Sequence, residues 1–218
     1  MEREGVIQFT TQHEHRALSL ARHGKLVQEL AAWRRIFVQT GLLGSDVARY
    51  QGLGFGNLSG RVTPLSLPRG QRRFLITGSQ TGRCEEVSLQ DFALVQRYCN
   101  RENWVQSAGG CLPSSEAMTH GAFYDLTPMI RYVFHVHAPS IWRQASRLRL
   151  PTSHCEIGYG TPEMAHEVER LFRTSVLPET RVMAMGGHTD GIIGFGDTAQ
   201  QAGLALVNTL AKAYEKKY

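Results

Sequence analysis

The run Arg131-Tyr-Val-Phe-His-Val-His-Ala138 constrains the fold more than any other part of the chain. Its aromatic and β-branched residues favour an extended strand. The apolar residues Tyr132, Val133, Phe134 and Val136 leave that strand no solvated side, which puts it in the interior of a sheet with both faces covered. His135 and His137 lie two residues apart, and side chains at i and i+2 of a strand point to one face. Two imidazoles are therefore offered side by side in an apolar setting, where they are costly without partners. They are either hydrogen-bonded core histidines or two ligands of one divalent metal, for which neutral imidazole is well suited, and the strand context favours the metal. The same spacing at His13-Glu14-His15 falls in a polar terminal stretch expected to be helical. Residues i and i+2 share no face there, so this pair reads as solvated surface.

The rest of the chain alternates between helical and extended patterns. From about Thr11 to Thr40 the spacing predicts a helix, with Leu26, Leu30, Trp33 and Phe37 on one face. SGRV and RRFLIT read as two strands joined by the loop TPLSLPRGQR. Ser88–Tyr98 reads as a short helix capped by Ser88, and Pro113-Ser-Ser-Glu116 opens another, with Ser114 or Ser115 as the cap. A helix is expected over Pro162–Arg173, strands over Arg181–Met185 and Gly191–Phe195, and a final helix over Asp197–Lys216 with Asp197 as its cap. No repeat or linker-like break interrupts this alternation, which points to one α/β domain over residues 1–218.

Composition removes several classes of function. With 218 residues, 42% hydrophobic and 20% charged, the chain can bury a sizeable core, which excludes disorder as its main state. A net charge of +5 suits a small anionic substrate and falls short of a nucleic-acid-binding surface. Neither the cluster Arg69, Arg72, Arg73 nor the cluster Arg143, Arg147, Arg149 is interleaved with stacking aromatics, so both read as solvated. No stretch approaches the roughly 20 apolar residues that cross a bilayer, and the charged N-terminus lacks a signal-peptide core. The four cysteines form no CxxC pair. A reducing cytoplasm is the expectation, with neither nucleic acid nor membrane as partner.

Two further residues are candidates for chemistry. His188 follows a strand-like run among the glycines of MAMGGHTDGIIGF, where it is a third ligand or a turn histidine. Glu116 follows two hydroxyl residues at a helix N-terminus, where it is a base or merely a helix-stabilising charge. His120, four residues on, is a supporting group or a surface histidine. The glycine-rich Gly52–Asn57 is neither a dinucleotide fingerprint nor a P-loop. Asn57, Ser59, Arg61, Thr77 and Ser79 could still cradle a small anion.

In their order along the chain, GNLSGR (56–61), LITGSQTG (75–82), LPSSEAMTHGAFY (112–124), VFHVHA (133–138) and GHTDGIIGFG (187–196) resemble the class II aldolase/adducin family. The resemblance implies a three-layer α/β/α sandwich with a mostly antiparallel central sheet. It implies a zinc-type ion (Zn2+, or Mn2+, Co2+ or Fe2+) on His135, His137 and His188, with Glu116 as the catalytic acid/base. It implies a substrate phosphate held by Gly56, Asn57, Thr81, Gly82, Ser114 and Ser115, and a homotetramer with sites at subunit interfaces. The activity implied is aldol cleavage of a small phosphorylated ketose through a metal-stabilised enediolate. Alternatives are a same-family epimerase, sugar-phosphate dehydratase or decarboxylase, and a non-catalytic adducin-like binding module. The chain departs from the aldolases in three ways. ITGSQTG carries extra residues, so Thr77 or Thr81 could be the binding threonine. The segment after His137 is short and has only Tyr159 where the aldolases carry a catalytic tyrosine. Asp190 follows the third histidine as possible support for it.

Overall fold

The computed structural model describes residues 5–215. In chain order it has strand β1 (Thr10–His15), helix α1 (Leu20–Gln39), and strands β2 (Gly44–Asp46), β3 (Arg49–Phe55), β4 (Asn57–Arg61) and β5 (Phe74–Thr77). Two short 3-10 turns follow, at Thr81–Arg83 and Leu89–Asp91, then strands β6 (Phe92–Cys99) and β7 (Trp104–Gly109), helix α2 (Ala117–Leu126) and strand β8 (Tyr132–His137). Helices α3 (Pro139–Trp142), α4 (Pro162–Thr174) and α5 (Leu177–Thr180), strands β9 (Val182–Ala184) and β10 (Gly191–Gly196), and helix α6 (Ala199–Glu215) complete the chain.

Eight strands form one sheet in the order β1-β7-β6-β5-β4-β8-β10-β9, and β2 and β3 make a separate hairpin. Every neighbouring pair in the sheet is antiparallel except β1 with β7 at one edge. Side chains alternate across β8. Val133 packs with Phe123 of α2, Val168 of α4, and Ile193 and Phe195 of β10. Phe134 and Val136 pack on the opposite face with Leu30 and Phe37 of α1 and Leu206 and Leu210 of α6. Two cores back to back on one sheet give the three-layer α/β/α sandwich that the family resemblance implies. His135 and His137 share the parity of Val133, so they face the α2 layer. No helix among the described residues is long and apolar enough to cross a membrane. All four cysteines are free thiols, and Cys155 is exposed.

Several local expectations need correction. Residues Thr10–His15 are not helical but form β1, in parallel register with β7, and the helix begins only at Leu20. His13 and His15 consequently do share a face, with ring centroids 4.6 Å apart. His13 Nδ1 lies 2.9 Å from Ser107 Oγ, and His15 is exposed. Ser88 does start a capped turn, yet the segment after it is β6 and not a helix. Phe92, Ala93, Leu94 and Val95 are all buried because helices cover both faces of the sheet. Such a continuous apolar run carries no period that separates strand from helix. Thr198, not Asp197, caps α6, its hydroxyl accepting from the Gln201 N–H at 3.1 Å.

Helical spacing puts Arg34 on the buried face of α1 with Val27, Leu30 and Phe37, a place where a cation needs partners. It is buried, and its guanidinium donates to the carbonyls of Thr81 (2.9 Å), Glu85 (3.2 Å), Gly82 (3.5 Å) and also Cys84. One cation thus satisfies the carbonyls of a whole loop and ties it to α1. Arg34→Met retains most of the apolar stem and leaves those carbonyls without a donor. It is expected to lower the free energy of unfolding by about 3 kcal/mol, measured by urea denaturation; an unchanged midpoint would show that the loop does not depend on this anchor.

Candidate metal centre

The register of the sheet brings three imidazoles to one point. His135 lies opposite Asn57 on β4 and Ile193 on β10, and His137 lies opposite Gly191. His188 comes from the turn between β9 and β10, closed by the His188 N–H on Met185 O (3.2 Å) and the Gly191 N–H on His188 O (2.9 Å). Gly191 is what lets the rings meet. A Cβ there would stand 2.7 Å from His188 Cδ2 and 3.3 Å from His135 Cε1.

The Nε2 atom of His137 lies 3.1 Å from that of His135 and 3.1 Å from that of His188. Potential ligand atoms of the three residues all fall within 4.8 Å of one another, a group that could hold a metal ion. Imidazoles bound tetrahedrally at the usual zinc–nitrogen distance have their nitrogens roughly 3.3 Å apart, so the observed spacing fits a small divalent ion. Burial first, and the neighbouring His188 second, hold His135 and His137 well below the usual imidazole range. Both are neutral at pH 7, with a lone pair available for a ligand bond. All three are buried.

Glu116 is held beside this cluster by the sheet end and the start of α2. The Ser114 N–H donates to Thr77 O (3.2 Å), and a bridge joins Gly78 to Pro113, so β5 delivers the chain into the helix. Glu116 itself occupies the N-cap position of α2, and its N–H donates to Ser114 Oγ at 3.3 Å. The serine therefore steadies the glutamate and does not cap the helix. The Glu116 carboxyl is buried, with Oε1 3.6 Å from His188 Nε2 and 3.7 Å from His135 Nε2. A carboxylate at that range can accept or return a proton on anything bound between the histidines.

Of the six residues expected to hold a phosphate, Gly56, Asn57, Gly82, Ser114 and Ser115 line one small cavity next to the histidines. Thr81 does not line it; its hydroxyl donates to Gly78 O within its own turn at 2.8 Å. The Thr77 hydroxyl is also engaged, accepting from the Leu58 N–H at 3.1 Å. Gly82 serves close packing: a Cβ there would fall 2.5 Å from Gly44 O and 2.8 Å from the Phe55 nitrogen.

Three further side chains stand at the centre, and one of them, Tyr50, has no clear signal in the sequence. Tyr50, from the β2–β3 hairpin, packs edge-on against the His137 ring at 4.8 Å. Its hydroxyl donates to Asp190 Oδ2 at 2.6 Å and accepts from Arg49 at 3.1 Å. The Asp190 carboxylate thus supports Tyr50, one layer further out than expected. Tyr50, Gln51 and Asp190 all have positive φ, a conformation that persists in non-glycine residues where surrounding contacts enforce it. Tyr159, which matches the aldolase tyrosine poorly by position, lies with its ring 4.6 Å from that of His188. His120 is fully buried, not on a helix surface. Its Nδ1 is 2.6 Å from Ser59 Oγ, and burial depresses its pKa to about 3. Tyrosines brought in by a hairpin or a loop leave no periodicity to detect, although Tyr50 does abut the glycine patch.

A model of the class II aldolase and adducin N-terminal domain matches residues 46–214. Human beta-adducin is 25% identical over 162 residues, covering 68% of this chain and 21% of that protein, so the chain spans about a fifth of the curated relative it matches. The L-fuculose-1-phosphate aldolase of Thermus thermophilus has the same fold at a TM-score of 0.64 and 18% identity, over 88% of this chain and 93% of that one. The sugar-phosphate aldolase of Thermotoga maritima gives a TM-score of 0.63 at 15% identity, with the same coverage of 88% and 93%. The match of the family model along most of the chain, carried on this fold, identifies the protein as a member of the class II aldolase and adducin family.

Proposed function

We propose that the chain is a divalent-metal-dependent carbon–carbon lyase that cleaves a small ketose by an aldol reaction. The supporting observation is the meeting of three buried imidazoles, two of their Nε2 contacts at 3.1 Å, with a Glu116 carboxylate oxygen 3.6 Å and 3.7 Å from two of them. Membership of a family that includes aldolases, and a fold shared with the fuculose-phosphate aldolase, support the same chemistry.

In this reading His135, His137 and His188 hold the ion, and zinc suits three imidazole ligands with a position left open for substrate. The ion supplies a Lewis acid for the negative charge that develops as the carbon–carbon bond breaks. Glu116 moves the proton at the carbon that becomes nucleophilic, taking it in the synthetic direction and returning it after cleavage. The helix N-terminus at Glu116 favours the charged form of its carboxylate. The buried setting keeps water from competing for the same positions and strengthens each charge interaction there.

The relation to beta-adducin supports a second reading, a binding module that does no chemistry. Metal content and turnover separate the two. His137→Ala is expected to lose the metal that the parent protein retains at near one equivalent, read by elemental analysis after dialysis. Glu116→Gln is expected to keep the metal and lose turnover by about 10²–10⁴-fold, followed by NMR on a panel of ketoses and aldonates that also separates cleavage from epimerisation, dehydration and decarboxylation. A parent protein that purifies metal-free and binds none on titration favours the binding module, and a Glu116→Gln protein as fast as the parent removes Glu116 from the mechanism.

A further inference from the structure

Two of the three candidate ligands lie where the sheet holds them least. Strand β4 pairs with β8 from Gly60 opposite Tyr132 to Asn57 opposite His135. His135 is therefore flanked by a strand on each side, whereas His137, the last residue of β8, has only Gly191 beside it. His188 lies outside the strands, in the turn between β9 and β10. The χ2 torsion of histidine has broad, roughly two-fold wells. The direction in which each Nε2 points is thus set by what packs on the ring and by where the backbone is held.

The β2–β3 hairpin supplies that hold to both residues. Tyr50 and Phe55 pack on the His137 ring at centroid distances of 4.8 Å and 5.5 Å. Arg49 lies over the Phe55 ring, 4.5 Å from its centroid, and donates to the His137 carbonyl at 3.3 Å. The Tyr50 hydroxyl then crosses to the other ligand. It accepts from Arg49 at 3.1 Å and donates to Asp190 Oδ2 at 2.6 Å, and Asp190 stands two residues after His188. The backbone of Asp190 closes the circuit, its carbonyl accepting from the Ala138 N–H at 2.8 Å. One residue so joins the end of β8 to the turn that carries His188.

The central bond of this chain is short and charge-assisted, which makes it one of the strong kind. Both of its partners stand in the left-handed region, Tyr50 at φ +50° and Asp190 at φ +66°. Non-glycine residues keep that conformation where their contacts enforce it, and such residues gather at ligand clamps. Asp190 is also buried, so a carboxylate deprived of the tyrosine hydroxyl carries the cost of its own desolvation.

We propose that Tyr50 is a positioning residue: its hydroxyl, bonded to Asp190 and Arg49, holds His137 and the His188 turn in the mutual geometry that a divalent ion requires. The inference rests on the metal reading of the three histidines and is independent of the reaction that follows.

The test uses full-length protein loaded with cobalt(II), whose visible absorption bands report the arrangement of its ligands, and zinc affinity measured against a competing chelator. Tyr50→Phe keeps the ring on His137 and removes only the hydroxyl. It is expected to weaken zinc binding by about tenfold or more and to change the position or intensity of the cobalt bands. Asp190→Asn, compatible with the left-handed backbone, is expected to do the same. The double variant is expected to lose no more than the larger single effect, because both changes break one contact. A hairpin that served only the stability of the fold would leave the cobalt bands and the zinc affinity unmoved. Parent-like bands and affinity in Tyr50→Phe, or losses that add in the double variant, overturn the proposal and leave the metal reading standing. A parent protein that takes up neither metal overturns both.

Discussion

An interior strand that carries two imidazoles on one face is the constraint around which the rest is arranged. In the middle of a covered sheet such side chains have no water to turn to, and each must find a polar partner or a cation. Here the partners come from three directions. The β9–β10 turn supplies a third imidazole, the start of α2 supplies a carboxylate, and Gly191 on the neighbouring strand leaves the volume in which the rings meet. The same burial that makes the cluster expensive keeps two of its histidines neutral, which is the state a metal needs.

Support for the centre is layered and mostly polar. β5 hands the chain into the turn that holds Glu116. The β2–β3 hairpin leans on His137 through Tyr50, whose hydroxyl is clamped between Arg49 and Asp190. Arg34 anchors the 81–85 loop from the far layer. That loop lies against the hairpin, since Gly82 packs on the backbone of Gly54 and Phe55. A displacement of α1 would therefore reach the cavity wall through the buried Arg34 side chain and then through close backbone contacts.

Much of the centre is legible along the chain because its chemistry is compact in sequence. His135 and His137 declare themselves by strand parity, and Glu116 by its place after two serines before a helix. His188 is a weaker signal, since a histidine among glycines is as ordinary as a ligand, and only family resemblance ties it to the other two. Tyr50 and Tyr159 are beyond reach for a different reason: each touches a histidine distant in the sequence, through elements whose mutual placement no local pattern encodes. β6 resembles a helix because a strand covered on both sides loses the alternation that identifies strands. β1 escapes recognition because the polar residues of a short edge strand resemble those before a helix.

The sequence alone determined the class of fold, an alternating α/β chain with one unmistakable interior strand, and the residue types able to bind a divalent ion. Both follow from local physics: strand parity, helix periodicity and the donor properties of imidazole. Only the tertiary structure decided that the three histidines share one point, that Thr81 turns away, and that Gly5 and Gln80 join the wall of the cavity where an anion was expected. Whether a cavity is open or filled depends on side chains arriving from distant segments, and the volume they leave is a property of packing that no spacing along the chain records.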